Sequence, residues 1–196
     1  MKCAGQTAYR VSNPTAPKSA SRYEIAQILK CWFAYHNHIR SRGAIVVDLD
    51  DTLINHQQRV TEGFEHIRNA LIDASHNFPF YVVTARPVED HADVLRMVRK
   101  LGFHLADRRL YMMKTEEYYE TDPKKRDRFS EAFKWESAIE IEENEGRLLL
   151  RMGDRLWDAI PNPGKNEAKF SHIDDRQPFL FFDVVHQTLC VKLPGR

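Results

Sequence analysis

Apolar positions along the chain follow two rhythms, one helical and one extended. Ser21-Arg-Tyr-Glu24 has the form of a capping box, and Ile25, Ile28, Leu29, Trp32 and Ile39 follow it at helical spacing. Together they predict an amphipathic helix over residues 22–39. Ala44–Val47 is short, wholly apolar and rich in β-branched residues, the composition of a strand buried on both faces of a parallel sheet. Residues 61–75 carry Phe64, Ile67 and Leu71 on one face and predict a second helix, and Phe80–Thr84 predicts a second buried strand. Pro87 is suited to the first turn of a third helix, whose inner face is Val94, Leu95, Val98 and Leu101 and whose stop is Gly102. Leu110–Met113 predicts a third strand, and residues 115–129 read as a charged, irregular stretch. Ser130 caps a predicted helix to about Glu143, and Leu148–Met152 gives a fourth strand. Residues 161–178 read as loop, and Phe179–Phe182 and Thr188–Val191 as two late strands.

Strand and helix alternate through the middle of the chain. This pattern predicts an α/β fold, a doubly wound, Rossmann-like three-layer sandwich with a mainly parallel central sheet and right-handed crossovers. An extra N-terminal helix and a small C-terminal strand pair at the edge complete it. Residues 1–20, with Pro14 and Pro17 among small polar side chains, read as an arm. Residues 21–196 then form a single domain with its core motifs over 44–160.

In such sheets a ligand sits beyond the carboxyl ends of the strands. The first strand runs into Asp48, Asp50 and Thr52, the second into Thr84 and Arg86, and the fourth into Asp154 and Asp158. Lys134 lies near the start of the helix before the fourth strand. If these strands are neighbours, one crevice collects carboxylates whose repulsion demands a cation. Carboxylate oxygens without a His or Cys cluster suit Mg²⁺, a hard ion that shares its shell with phosphate.

Composition narrows the alternatives. The chain has 196 residues, 42% of them hydrophobic, enough for a real core. Its net charge is +1, from 29 basic and 28 acidic residues, which argues against a dedicated nucleic-acid or membrane-surface protein but leaves room for a local patch. Cys3, Cys31 and Cys190 are odd in number and widely spaced, which fits a reducing compartment. The first residues hold no apolar run of signal-peptide length, and no window approaches the roughly 20 apolar residues of a membrane span. A cytoplasmic protein is the expectation.

The set Asp48-x-Asp50-x-Thr52, Thr84, Lys134 and Gly153-Asp154-x-x-x-Asp158 resembles the haloacid dehalogenase-like superfamily in order and spacing, over roughly residues 44–160. The resemblance implies a Mg²⁺-dependent phosphatase that hydrolyses phosphomonoesters through an aspartyl-phosphate. Asp48 would be the nucleophile and Asp50 the general acid and base. Asp154, Asp48 and the backbone carbonyl of Asp50 would hold the metal, with Asp158 bracing the site. Thr84 and Lys134 would bind phosphoryl oxygens. Dehalogenase members lack an acid at the position of Asp50, so its presence favours an oxygen leaving group. The gaps between motifs are too short for a full cap domain, so the chain is similar to capless or minimally capped members. GDRLWDAI and the terminal CVKLPG are similar to the acid-phosphatase branch. LYMMK followed by a charged loop and a lysine is similar to polynucleotide phosphatases, although Lys114 stands where that branch usually has arginine.

Several residues keep two readings. Thr52 and Arg86 are substrate-contact candidates, and Arg86 reads equally as a surface arginine at a helix start. Lys114 is the reserve for the phosphate-binding lysine, although Lys134 has the better distance to GDRLWD. Residues 96–128 hold ten basic and six acidic side chains, a patch for a nucleic-acid backbone or a solvated loop. Asp51 is expected to point away from the site. His36 and His38 are expected on the surface, since residues two apart on a helix face different sides. Asp174-Asp175-Arg176 reads as a charged turn, and Pro163-Gly-Lys165 lacks the residues of a phosphate-binding loop. The expected partner is a phosphorylated substrate, either a small molecule or a nucleic-acid end, with no membrane involved. A protein partner would suit the N-terminal arm. The rival readings are a nucleic-acid 3′-phosphatase and a non-catalytic assembly protein that keeps the fold.

Overall fold

The computed structural model describes residues 18–54, 64–159, 178–183 and 186–194. The elements in chain order are β1 (Lys18–Ser19), α1 (Arg22–His38), β2 (Ala44–Val47), α2 (Glu65–Ser75), β3 (Phe80–Pro87), α3 (His91–Lys100) and β4 (Leu110–Met113). They continue with α4 (Thr115–Tyr118), α5 (Pro123–Glu145), β5 (Leu148–Gly153), α6 (Leu156–Ala159), β6 (Phe179–Asp183) and β7 (Thr188–Lys192). The strands form one sheet in the order β1-β6-β7-β5-β2-β3-β4. The run β7-β5-β2-β3-β4 is parallel throughout, and β6 and β1 add antiparallel strands at one end. The expected α/β, Rossmann-like fold is therefore present.

Strand alternation sorts the core into two layers. Ile45, Val47, Phe80, Val82 and Val191 face one side and pack with α1, α2 and α3 residues such as Leu29, Ile67 and Val94. Ala44, Val46, Tyr81 and Val83 face the other and meet Ala138 and Ile141 of α5. Phe179, Phe181 and Cys190 extend that second layer under α6. The layer beneath α5 is the one that carries the chemistry.

The helices start where their caps dictate. Ser21 and Glu24 complete the expected capping box at α1, worth about 1 kcal/mol. The predicted start of α5 at Ser130 is corrected to Pro123. Asp122 caps that end by accepting from the Lys124 N–H at 2.9 Å, and proline sits in the first turn, where its missing N–H costs nothing. The stretch 115–129, expected to be irregular, thus holds α4 and the first turns of α5. Its end lacked an apolar stripe because residues 121–128 are all exposed. The predicted helix 61–75 begins at Glu65 within the described residues. At the described end of the N-terminal stretch, Lys18–Ser19 pair with β6, and Ala20 is buried. The expected loop at 161–177, with Pro163-Gly-Lys165 and Asp174–Arg176, lies outside the described residues.

α1 is anchored to β5 by polar groups. The β2–β5 register slips between Ala44 and Ile45, leaving Leu149 without a partner on β2, and the Trp32 indole N–H donates to the Leu149 carbonyl at 3.0 Å. His36, expected at the surface, is only 4% exposed. Its Nδ1 meets the Ser41 hydroxyl at 2.9 Å and the Arg147 guanidinium at 3.3 Å. A guanidinium only donates, so Nδ1 accepts and Nε2 carries the proton. Burial, and then the charge of Arg147, lower the His36 pKa to about 4 from its ordinary 6.5. Between those values the unfolded chain takes up a proton that the folded chain refuses, so this contribution to stability is lost as pH falls through the window. The stability difference between wild type and His36→Asn, measured by urea unfolding, should narrow as pH drops from 7 to 4. A difference constant with pH would contradict the assignment.

Candidate active site

The parallel strands deliver their last side chains to one edge. Asp48 follows β2 directly and extends its ladder through an N–H bond to the Met152 carbonyl at 2.9 Å. It continues the Ala44–Val46 face, so its carboxylate enters the layer under α5. Lys134 sits on the buried stripe of α5 with Ser137, Ala138 and Ile141, in a place the spacing would otherwise give to an apolar residue. Its ammonium lies 2.8 Å from Asp48 Oδ1 and 2.9 Å from Asp158 Oδ1, with all three side chains under 10% exposed. Asp154 completes the group. One carboxylate oxygen from each of Asp48, Asp154 and Asp158 lies within 4.8 Å of the others.

Two features of β5 and α6 hold Asp158 in place. Gly153 leaves no side chain where Asp158 packs, and a Cβ added there would overlap the Asp158 carboxyl group. Arg151, fully within the sheet, donates to the carbonyls of Asp158 at 3.3 Å and Trp157 at 3.1 Å. Val46, Val83, Lys134 and Arg151 line a small cavity of about 10 Å³.

The electrostatics show a deficit of positive charge. Burial raises the Asp48 carboxyl well above the usual range; the Lys134 ammonium opposes this, while the charges of Asp158 and Asp154 add to it. Burial and Asp158 likewise raise Asp154 to about 6, against the pull of Lys134 and Arg155. On Lys134, burial works against the charge, but Asp158 and Asp48 outweigh it and push its pKa up, so it stays an ammonium. The Lys134 ammonium between Asp48 and Asp158, and the half-exposed Arg155 Nε 3.6 Å from Asp154, face three buried carboxylates, and an additional cation would relieve the remainder. The donors are all oxygen, which fits Mg²⁺ and not a soft metal.

A second cluster lies beside the first. Asp50 keeps its side chain 44% exposed, against 3% for Asp48. The Arg86 guanidinium grips it in two-pronged fashion, Nη2 to Oδ1 at 2.7 Å and Nε to Oδ2 at 3.0 Å. A register slip between Thr84 and Pro87 against β4 re-aims the chain at Arg86, in the manner of a bulge. Thr84 is buried and donates to Asp50 Oδ2 at 3.3 Å. Thr52, fully buried, donates to Asp48 Oδ2 at a long 3.4 Å. Asp51 has φ 54°, a left-handed conformation that aspartate tolerates, and opens the turn that follows Asp50. It is not among the three clustered acids, yet its charge reaches Asp154.

Of the residues singled out from the sequence, Asp48, Asp154, Asp158, Lys134 and Thr52 come together, with Asp50, Thr84 and Arg86 adjoining. The Asp50 carboxylate is not one of the clustered oxygens. Lys114 is exposed at the start of α4 and takes no part in the acid cluster among the described residues, so Lys134 is the lysine at this site. Sequence reasoning missed Arg151 and Gly153 as supports. A charge inside the apolar run LLLRMG was the available signal for Arg151.

Residues 45–107 match the model of a family described as haloacid dehalogenase-like hydrolase. The match supports a hydrolase of that superfamily. It spans Asp48, Asp50, Thr52, Thr84 and Arg86, while Lys134, Asp154 and Asp158 lie beyond it and join it through the fold. No curated protein matches the chain. No helix among the described residues is long and apolar enough to cross a membrane.

Removing the ammonium leaves its buried carboxylates uncompensated, which typically costs 3–5 kcal/mol. Lys134→Met should therefore lower unfolding stability in Mg²⁺-free buffer by about 3 kcal/mol or more. A stability equal to wild type would show that Lys134 is not the counter-ion of this cluster.

Proposed function

We propose that the protein is a Mg²⁺-dependent phosphatase that hydrolyses phosphomonoesters through an aspartyl-phosphate on Asp48. The observation that carries the reading is the buried Lys134 ammonium between Asp48 and Asp158, beside Asp154, at the edge where β2 and β5 end. An electron-rich oxygen, a fixed cation and an oxygen-only metal site within a few ångströms are what phosphoryl transfer requires.

Asp48, Asp154 and the backbone carbonyl of Asp50 would hold Mg²⁺, which neutralises charge on the phosphoryl oxygens when bound. Lys134 fixes the Asp48 carboxylate and adds positive charge where the phosphoryl group arrives. Asp48 attacks phosphorus as the ester P–O bond breaks. Asp50 passes a proton to the leaving alkoxide, then removes one from the water that attacks the acyl-phosphate, which frees Asp48 and inorganic phosphate. The exposure of Asp50 suits this role, since it must face the leaving group and then water. Arg86 occupies both Asp50 oxygens, so turnover requires it to release one, and an arriving phosphate offers the guanidinium a second anion. Thr84 and Thr52 steady the two acids. Asp158 acts as brace through Lys134, held by Arg151 and given room by Gly153. The domain assignment follows: residues 21–196 work as one minimally capped phosphatase domain, and 1–20 precede it as an arm.

Phosphate release from an aryl phosphate should require Mg²⁺, stop with EDTA and resume when Mg²⁺ is restored. Asp48→Asn should lower kcat by about 10³-fold or more, because it removes the attacking oxygen. Full activity in Asp48→Asn, or in EDTA, would defeat the proposal.

A further inference from the structure

Arg86 has more donors than Asp50 uses. A guanidinium carries five N–H groups in one plane and can serve anions on more than one edge. The edge formed by Nε and Nη2 holds Asp50, at 3.0 Å and 2.7 Å. Nη1 makes no hydrogen bond among the described residues. Nor is it sealed in: the unpartnered side-chain nitrogens that are buried belong to other residues, Arg68 and Arg109 among them. The edge formed by Nη1 and Nη2 is therefore open, and it has the spacing of a second carboxylate.

The open edge is held in place before any ligand arrives. The Arg86 backbone N–H donates to Thr84 Oγ1 at 3.3 Å, Thr84 donates to Asp50, and the bulge against β4 sets the direction of the side chain. Asp90, exposed after β3, is the other acid whose charge reaches the guanidinium.

The place of this edge in the reaction follows from Asp50. A general acid lies about 3 Å from the oxygen that it protonates. The leaving oxygen and the guanidinium are thus neighbours across one carboxyl group. The phosphorus lies on the other side of that oxygen, toward Asp48 and Lys134. What the guanidinium reaches is the leaving alcohol, one carbon beyond the ester oxygen. When Asp50 turns an oxygen to the leaving group, Arg86 loses half of its carboxylate, and an anion on the alcohol takes over. A second phosphate would bring more charge beside Asp90 than one edge can answer, whereas a single carboxylate matches it.

We propose that Arg86 sets specificity by taking a carboxylate on the leaving alcohol, so that the substrates are phosphomonoesters of 2-hydroxy acids. The inference rests on the phosphatase reading and adds a substrate class to it. The P–O bond breaks as Asp48 attacks, and the ester oxygen leaves with the proton from Asp50 as the hydroxyl of the 2-hydroxy acid. Water then releases inorganic phosphate from Asp48.

The test compares kcat/KM for 2-phosphoglycolate with that for 2-phosphoglycolamide, which has the same shape without the second charge. Wild type should favour the carboxylate by about tenfold or more, the worth of one charge-assisted pair. The ratio should fall to near one in Arg86→Met. Arg86→Lys, which keeps the charge but not the fork, should retain part of it. A wild-type ratio near one would overturn the inference while leaving the phosphatase standing. So would a ratio unmoved in Arg86→Met, because a guanidinium that serves only the transferring phosphoryl group affects both substrates alike. If no phosphomonoester is turned over, the phosphatase reading fails, and calorimetric titration of the same two compounds in Mg²⁺ judges Arg86 alone. Tighter binding of the carboxylate by wild type, lost in Arg86→Met, then supports the assignment, and equal binding of the two by wild type overturns it.

Discussion

A buried ammonium between two buried carboxylates is the constraint on which this molecule turns. Lys134 cannot leave its place without stranding Asp48 and Asp158, and neither acid can be buried without it. The pairing fixes the height of α5 over the sheet and binds the end of β2 to the turn after β5. It leaves Asp154 to a longer, half-exposed contact with Arg155 at 3.6 Å, so the cluster stays short of positive charge. Structure and the proposed chemistry thus have one origin: the arrangement that closes the fold on this side is the one that would hold a divalent cation and a phosphate.

The sheet makes that arrangement possible by dividing labour between its faces. Ile45, Val47, Phe80 and Val82 bury hydrocarbon against α1, α2 and α3 and supply most of the core. The opposite face is thinner, covered mainly by α5, and there Arg151, Lys134 and Asp48 replace hydrocarbon with paired charge. Each of these groups is costly alone and acceptable together, since every charge meets an opposite charge or a carbonyl. Regular geometry yields at two points near or beside the site. The left-handed Asp51 turns the chain directly after Asp50, and the bulge after Thr84 swings Arg86 onto Asp50.

Much of this was legible in the sequence, and the reasons are specific. AIVV, FYVVT and LLLRM are apolar runs bounded by polar residues, so β2, β3 and β5 could be placed and the acids after them assigned to one edge. The order Asp48, Thr84, Lys134, Asp154 then defined the site, and the choice of Lys134 over Lys114 followed from its distance to GDRLWD. The start of α5 was not legible, because a helix that projects into solvent has no apolar stripe, and Pro-Lys-Lys-Arg looks like loop until Asp122 is seen capping it. The burial of His36 depends on Arg147, more than a hundred residues away, and no local spacing announces that. The two-pronged Arg86–Asp50 contact depends on a bulge whose register only the paired strand β4 reveals. Local chemistry was readable, whereas partnerships made by long-range packing were not.

The central claim is that Asp48, steadied by Lys134, is the atom that receives the phosphoryl group. Asp50→Asn removes both the acid of the first step and the base of the second; with an aryl phosphomonoester whose phenolate leaves without a proton, only the second step is slowed and the acyl-phosphate should accumulate. Brief reaction of that variant with Mg²⁺ and the aryl ester, followed by acid quench and peptide mass spectrometry, reads the adduct directly. The account predicts a phosphoryl group on Asp48, absent when Asp48 is also replaced by Asn. Phosphate release with no adduct, or an adduct on another residue, would contradict it.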